Sequence, residues 1–391
     1  MNLRAWWSYR QGLDGRLSGA DAATLLTETG WSRSVGGVGP YLTLKSRAGI
    51  GKAEADLAVS ALDIHELPAA RGCTYVVPKD DFGLALAAAA PYRELEMKTA
   101  RKLGVTDEEI DVLCAAVVNA LGSRVLSPDE IRDETGAASR SLGEEGKKKG
   151  LTTTLPLALG RLQASGQIRR IPIDGRLDQQ RYKYAVWETN PRKGIDLSPD
   201  EISVELAKRF FKWIGPATVG EFQWFSALGA VAARNAMAAI DLEEIPDRRF
   251  LLKEQVEEFN DFTPPADRQF RFISSLDGLS LLRRDLKSMI DEADLSRSVF
   301  YEKDFTKLDG LADLPNHAIV DRGRLVGLWE YDTATASIVW LSFVDKCAPL
   351  LRAVEETEKF IRDELGDARS FSLDSPKSRV PAIDALRRGS H

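Results

Sequence analysis

The chain is poor in the residues from which metal centres and covalent frameworks are built. Only three cysteines (Cys73, Cys114, Cys347) and three histidines (His65, His317, His391) occur in 391 residues. An odd, widely spaced trio of thiols excludes a disulfide framework and a zinc ribbon. So few imidazoles leave no histidine-rich metal site. No run of about 18 apolar residues is present, which argues against a membrane span. The opening MNLRAWWSYRQGLDG lacks the apolar stretch of a secretory signal. VGGVG (residues 35–39) is too short for a phosphate-binding loop and lacks its lysine. The terminal RRGSH reads as tag-like, and His391 is given no weight. These absences point to a globular cytoplasmic protein with no membrane association, no metal and no cofactor. Its length suggests two or three domains.

What is present is a concentrated basic segment. The net charge is −6, yet residues 140–193 hold twelve Lys/Arg against five Asp/Glu. Such segregation steers a polyanion to one face and repels it elsewhere. Within this segment LTTTLPLALGRLQASG spells a helix, with Thr152, Thr153 and Thr154 at its start, Leu155, Leu159 and Leu162 on one face, and Gly166 as its stop. Residues 167–173 then read as a strand, Asp174-Gly175 as a two-residue turn, and 180–187 as the returning strand. Tyr182, Tyr184 and Val186 alternate with Arg181 and Lys183, so one face is apolar and the other cationic. This is the sequence shape of a winged-helix nucleic-acid reader. Lys147, Lys148, Lys149, Thr152, Thr153, Thr154, Arg161, Arg169, Arg170, Arg176 and Arg181 are the candidate phosphate contacts on duplex DNA.

One internal repeat is perfect: LSPDEI stands at 126–131 and again at 197–202. Serine caps, proline takes the first helical position, and glutamate completes a capping box. Helices are expected at 128–135 after the first copy and at 199–213 after the second. Thr218 caps a helix holding Phe222, Trp224 and Phe225, an alanine-rich helix covers 231–239, and 248–253 reads as a strand. Two tandem winged-helix units follow from this, the first the more basic. Before them, 21–28 and 52–62 read as helices, 76–78 ends a strand, and 80–90 begins a helix. After them, 271–275, 317–321, 324–331 and 337–343 alternate like strands of a small antiparallel sheet or barrel, with Arg322-Gly323 as a hairpin turn and 348–365 as a closing helix. The fold class is therefore α+β. Four segments are expected: 1–120, a helical or winged-helix-like domain; 121–195 and 196–265, the winged-helix units; and 266–391, the β-rich domain. Trp6, Trp7, Trp224 and Trp329 read as packing residues.

In order along the chain, five blocks resemble the AlkZ-like (also called YcaQ-like) winged-helix DNA glycosylase family. GPYLTLKSRAG (39–49) is similar to its "PYL-aliphatic-x-x-R" block. ELPAARGCTYVVPKDDF (66–82) is similar to its "MRGT-x-H-x-VP-x-x-D" block, and GPATVGEFQWFSAL (215–228) to its "GP-AT" helix start. SLDGLSLLRRD (275–285) and HAIVDRGRLVGLWEY (317–331) resemble its "FDP…RR" and "DG-x-x-x-G-x-W" blocks. The resemblance implies tandem winged helices on duplex DNA, a C-terminal β-barrel, and excision of alkylated or cross-linked bases.

The catalytic motif departs from that pattern. Active members carry Gln-x-Gln or Gln-x-Asp shortly before the PYL block, where the polar groups hold water and stabilise a cationic sugar. Here GWSRSVGGVG (30–39) has no Gln, Asn, Asp or Glu. Ser32 and Ser34 keep the alternate spacing with hydroxyls, and Tyr75 stands where the family has histidine. Ser32, Ser34, Arg71 and Tyr75 are the catalytic candidates, with Glu66 and Asp81 as further sources of chemistry and Arg33 as a phosphate clamp. The plainer alternative pairs Arg71 with Asp81 internally. Three functions stay open: a divergent glycosylase, a non-enzymatic duplex-DNA binder or regulator, and a protein or small-molecule interaction module.

Overall fold

The computed structural model describes residues 3–389, so His391 lies outside the described residues. Helices begin where the caps predict. In both LSPDEI copies the serine Oγ accepts from the backbone N–H three residues on, and the glutamate there accepts from the serine N–H. The two boxes open helices Pro128–Thr135 and Pro199–Ile214. Thr218 and Glu221 form a third box ahead of helix Val219–Ser226. Asp21 caps Ala22–Thr29, and Lys52–Ser60 follows.

Helices Asp107–Leu121, Pro128–Thr135 and Leu155–Ala164 bury a common core that includes Ile110, Leu113, Ile131, Leu159 and Leu162. The hairpin of Ile168–Pro172 with Tyr182–Val186 packs against it. Helices Pro199–Ile214, Val219–Ser226 and Ala230–Ala238 repeat the arrangement, followed by the hairpin of Leu242–Ile245 with Arg249–Leu252. The polar stretch 139–150 holds a short helix, Gly143–Lys148.

The two-residue turn expected at Asp174-Gly175 is not formed. The first hairpin's connection runs from 173 to 181 and folds back onto the body. Leu177 is fully buried in a different core, and its N–H donates to the Tyr41 hydroxyl at 3.0 Å. Arg176 bonds Asp178 and the Leu365 carbonyl. A tight turn would leave Leu177 in water, forfeiting roughly 1.5–3 kcal/mol of side-chain burial.

Two sheets divide the remaining interior. A three-stranded antiparallel sheet has the order Ser32–Arg33, Thr74–Pro78, Ile64–Pro68. A four-stranded antiparallel sheet runs Ser337–Ser342, Arg324–Asp332, His317–Asp321, Phe270–Ile273. Its outer strands, Ser337–Ser342 and Phe270–Ile273, do not pair with each other among the described residues. Ser298–Tyr301 and Asp304–Lys307 form a separate hairpin. Each larger sheet sends one face into one apolar cluster (Leu67, Tyr75, Val320, Leu328) and the other into a second (Ile64, Val76, Ile319, Trp329). Both clusters draw on the N-terminal and the C-terminal thirds of the chain, so these cores cross the expected boundary at 265–266. Trp6 and Trp7 are sealed in the first cluster, their indole N–H groups donating to the Gly215 and Pro216 carbonyls.

A fully buried ion pair joins the N-terminal and C-terminal thirds of the chain. On helix Gly39–Ala48, Arg47 makes a bidentate contact with Asp277 at 2.7 and 2.8 Å, with both side chains essentially inaccessible to solvent. Asp277 also caps helix Gly278–Leu281, and Arg47 donates to Gln11. Removing one partner of such a pair strands a buried charge, which costs about 3–5 kcal/mol. Arg47→Ala is therefore expected to lower stability by that amount in urea unfolding, and Arg47→Met with Asp277→Leu to recover most of it. A loss below about 1 kcal/mol in the single variant, the range of an exposed pair, would contradict this.

Candidate functional site

The three-stranded sheet sorts the candidate residues by face. Cross-strand register sets Ser32 beside Val76 and Arg33 beside Tyr75. Side chains alternate along a strand, so Ser32 and Ser34 point one way, and Trp31, Arg33 and Tyr75 the other. The serine face is sealed. Ser32 bonds Thr43 at 3.2 Å, and Ser34 donates to Glu66, a carboxyl 1% exposed whose pKa burial raises. Above them sits the basic hairpin: Tyr182 reaches Glu66 at 3.5 Å and Arg170 donates to Thr74 at 2.8 Å.

The opposite face opens into a cavity of about 630 Å³. Trp31, Arg33, Arg71 and Tyr75 form one wall. Burial holds the Tyr75 hydroxyl up at about 12, and the Arg33 guanidinium lies 5.4 Å from its ring centre. Arg71 has a left-handed backbone (φ 59°) and stacks 3.5 Å from the Trp224 ring centre, without an ion pair among the described residues. The expected Arg71–Asp81 pair is absent: Asp81 is held by Arg209 at 2.9 Å and by the Trp31 indole N–H at 2.9 Å. Trp224 is thus a wall of the cavity as well as a packing residue.

The far wall comes from the C-terminal third. Glu330, on strand Arg324–Asp332, faces the cavity at 6% exposure and accepts from the Asn316 amide at 2.9 Å. Burial raises its pKa to about 7, against the opposing pull of Asn316 and Arg379; Asp374 and Asp367 add to the rise. The carboxyl therefore exchanges its proton around neutrality. Sequence reading passed over Glu330; an acid in the otherwise buried run LVGLWEY was the available signal. His317 on the adjacent strand ties two parts of this wall together. Its Nδ1 accepts from the Ser275 N–H at 3.0 Å, which leaves Nε2 to donate to the Ala368 carbonyl at 2.7 Å. Burial lowers its pKa to about 4, so it stays neutral. His65 is likewise neutral, pushed to about 3 by burial and by Arg169 and Arg170.

The phosphate-contact candidates separate by their local partners. Lys149 and Arg181 are exposed, with no side-chain partner among the described residues. Lys147 and Lys148 are exposed and pair with Glu144 and Glu145. Thr152 is exposed, Thr153 is half-buried, and Arg169 is half-buried over the Trp187 ring. Arg161 is held by Asp107 and Asp111, Arg176 by Asp178, and Arg170 by Thr74; Thr154 is fully buried and accepts from the Arg140 N–H. Among the described residues no cluster of three or more His, Cys, Asp or Glu could hold a metal ion, and no helix is long and apolar enough to cross a membrane.

A comparison with curated proteins finds no match. The fold is similar to the solved structure of Streptomyces sahachiroi DNA glycosylase AlkZ, with a TM-score of 0.69 and 20% identity over 95% of this chain and 97% of that one. The family model described as "DNA glycosylase AlkZ-like" matches residues 37–369. With most of its length inside that match, the chain belongs to the AlkZ-like DNA glycosylase family.

Proposed function

We propose that this protein is a DNA glycosylase that removes alkylated purines from duplex DNA, taking the extruded base into the 630 Å³ cavity. One observation carries this reading: the cavity combines aromatic and guanidinium walls, suited to a base, with a single buried carboxyl that ionises near neutrality. An alkylated purine is already cationic. The C1′–N bond breaks with its electron pair passing to the base, which leaves neutral, while the sugar becomes a cation. Glu330 as carboxylate stabilises that cation and accepts the proton of the water that captures it, giving an abasic site. Arg71 and Tyr75 bound the base, whereas Ser32 and Ser34 brace the sheet from behind. The two helix-and-hairpin units act as tandem winged helices. Lys147, Lys148, Lys149, Thr152, Thr153, Arg169 and Arg181 meet phosphates, while Thr154, Arg161, Arg170 and Arg176 hold the units in shape.

The rival reading, a duplex-DNA binder without chemistry, draws on the sealed serines and on Trp31 and Arg33 occupying the cavity side of the motif segment. Excision separates the two. On duplexes carrying N7-methylguanine, the single-turnover rate is expected to rise with pH through about 7, because only the ionised Glu330 functions. Glu330→Gln is expected to lower the rate about 10²–10⁴-fold and to abolish that pH limb. Absence of abasic sites above the spontaneous background would leave the binder.

Phosphate contact is tested separately by salt. Arg181→Ala and Lys149→Ala are each expected to weaken duplex binding uniformly across sequences and to reduce the log–log salt slope by about 1. Arg161→Ala should leave the slope unchanged. Anisotropy titrations between low and physiological salt measure both, and a slope near zero in the parent protein would point to an interaction module instead.

A further inference from the structure

Between the cavity-lining residues Phe371 and Asp374, Leu373 is 93% accessible, the most exposed large apolar side chain among the described residues, and Phe371 is 45% accessible. An isolated exposed leucine needs no explanation; this one sits on a braced support. The turn at 371–374 is closed by Asp374, whose carboxylate accepts from the Phe371 N–H at 2.8 Å while its own N–H donates to the Phe371 carbonyl. It is then anchored on both sides. The Ser372 N–H donates to the Val35 carbonyl at 3.0 Å, and the Ser372 hydroxyl donates to Gln180 at 2.7 Å. Arg369 reaches the Gly36 and Asp178 carbonyls. The approach is close enough at Gly37 that a Cβ there would lie 2.0 Å from the Ser370 carbonyl oxygen.

The surroundings indicate what the leucine meets. Phe371 and Asp374 themselves wall the cavity. Gln180, which holds Ser372, precedes Arg181 on the basic hairpin, exposed and without a side-chain partner among the described residues. An apolar tip is thus carried on a braced turn that lines a base-sized cavity through Phe371 and Asp374 and bonds, through Ser372, the residue before Arg181. An extruded base leaves a gap in the stack, and an apolar side chain that fills it offsets the cost of unstacking.

We propose that Leu373 is a wedge that enters the base stack of duplex DNA as a base leaves for the cavity, an inference that rests on the glycosylase reading above. Leu373 is a positioning residue that touches the DNA without taking part in bond breaking. The test uses the full chain and duplexes carrying 2-aminopurine, whose fluorescence rises on unstacking, alongside excision from matched duplex and single-stranded alkylated oligonucleotides. Leu373→Ala is expected to lose most of the fluorescence rise and to slow duplex excision about tenfold or more, with single-strand excision and duplex affinity little changed. Leu373→Met should restore both, and Glu330→Gln should keep the fluorescence rise while losing excision. Because Leu373 lies in solvent, thermal unfolding of the alanine variant should match the parent. An alanine variant that unstacks and excises like the parent overturns the wedge alone. A parent that binds duplex without unstacking overturns the wedge and leaves DNA binding standing, and a parent that binds no duplex overturns both readings.

Discussion

The buried Arg47–Asp277 pair sets the geometry on which the cavity depends. Arg47 projects from the helix that follows the motif segment, and Asp277 lies between Leu276 and Gly278, which both line the cavity. The pair therefore fixes the wall carrying Trp31, Arg33 and Tyr75 relative to the wall carrying Ser275 and Leu281. A buried ion pair gives less stability than packed hydrocarbon of the same volume, because both ions are desolvated. What it supplies is register: a bidentate guanidinium–carboxylate contact tolerates little rotation or slip. Neutral His317 acts in the same sense, coupling Ser275 to Ala368 through both ring nitrogens.

The two sheets then serve as partitions. Each packs one apolar cluster on either side, so alternate strand side chains are sent to opposite sides, and a one-residue shift would exchange them. That constraint explains the fate of the catalytic candidates. Alternate spacing keeps Ser32 and Ser34 on one face together, but the face is the one closed by Thr43, Glu66 and the basic hairpin. The intervening positions, Trp31 and Arg33, face the cavity. In the proposed reaction, the polar function missing from that segment is supplied from a different strand by Glu330. Its pKa near 7 follows from the same enclosure: Asn316 gives it one hydrogen bond, which does not match the hydration it has lost.

Local signals were legible wherever a few adjacent residues decide the outcome. The capping boxes at Ser127 and Ser198 and the helix cap at Thr218 are examples, because each start is decided within four consecutive residues. The strands of the basic hairpin were legible for the same reason, through alternation. Its turn was not, because Leu177 is drawn out of it by Tyr41 and a core formed from remote segments. Helix Asp107–Leu121 had its signal in Thr106 and the acidic DEE that follows, yet escaped reading. Helix Pro376–Arg388 likewise had its start in Ser375-Pro376 and escaped reading, whereas the hairpin Ser298–Tyr301/Asp304–Lys307 buries Val299 in a core formed from remote segments. Glu330 and Trp224 belong to the cavity only through contacts between distant strands and helices, which spacing cannot encode.

Charge shows the same division between count and arrangement. The surplus of residues 140–193 suggests a broad cationic face, but several of its members are committed elsewhere. Arg176 is bound to an Asp178 that is 5% exposed; withdrawing it would leave a buried carboxylate unpaired, which is expensive. Arg161 bridges Asp107 and Asp111 at the helix start and holds two helices together. Lys147 and Lys148 differ, because their glutamate partners are solvent-exposed, and such pairs are worth about 0–1 kcal/mol. A phosphate can displace those glutamates at little cost. Among the candidate phosphate contacts, the exposed cations free to meet a polyanion are therefore Lys147 to Lys149 before the helix and Arg181 on the hairpin. The latter is joined through Gln180 and Ser372 to the turn that borders the cavity. A charge that grips a backbone is most useful where it fixes the position of one nucleotide relative to the pocket, and Arg181 is the free cation tied most directly to it.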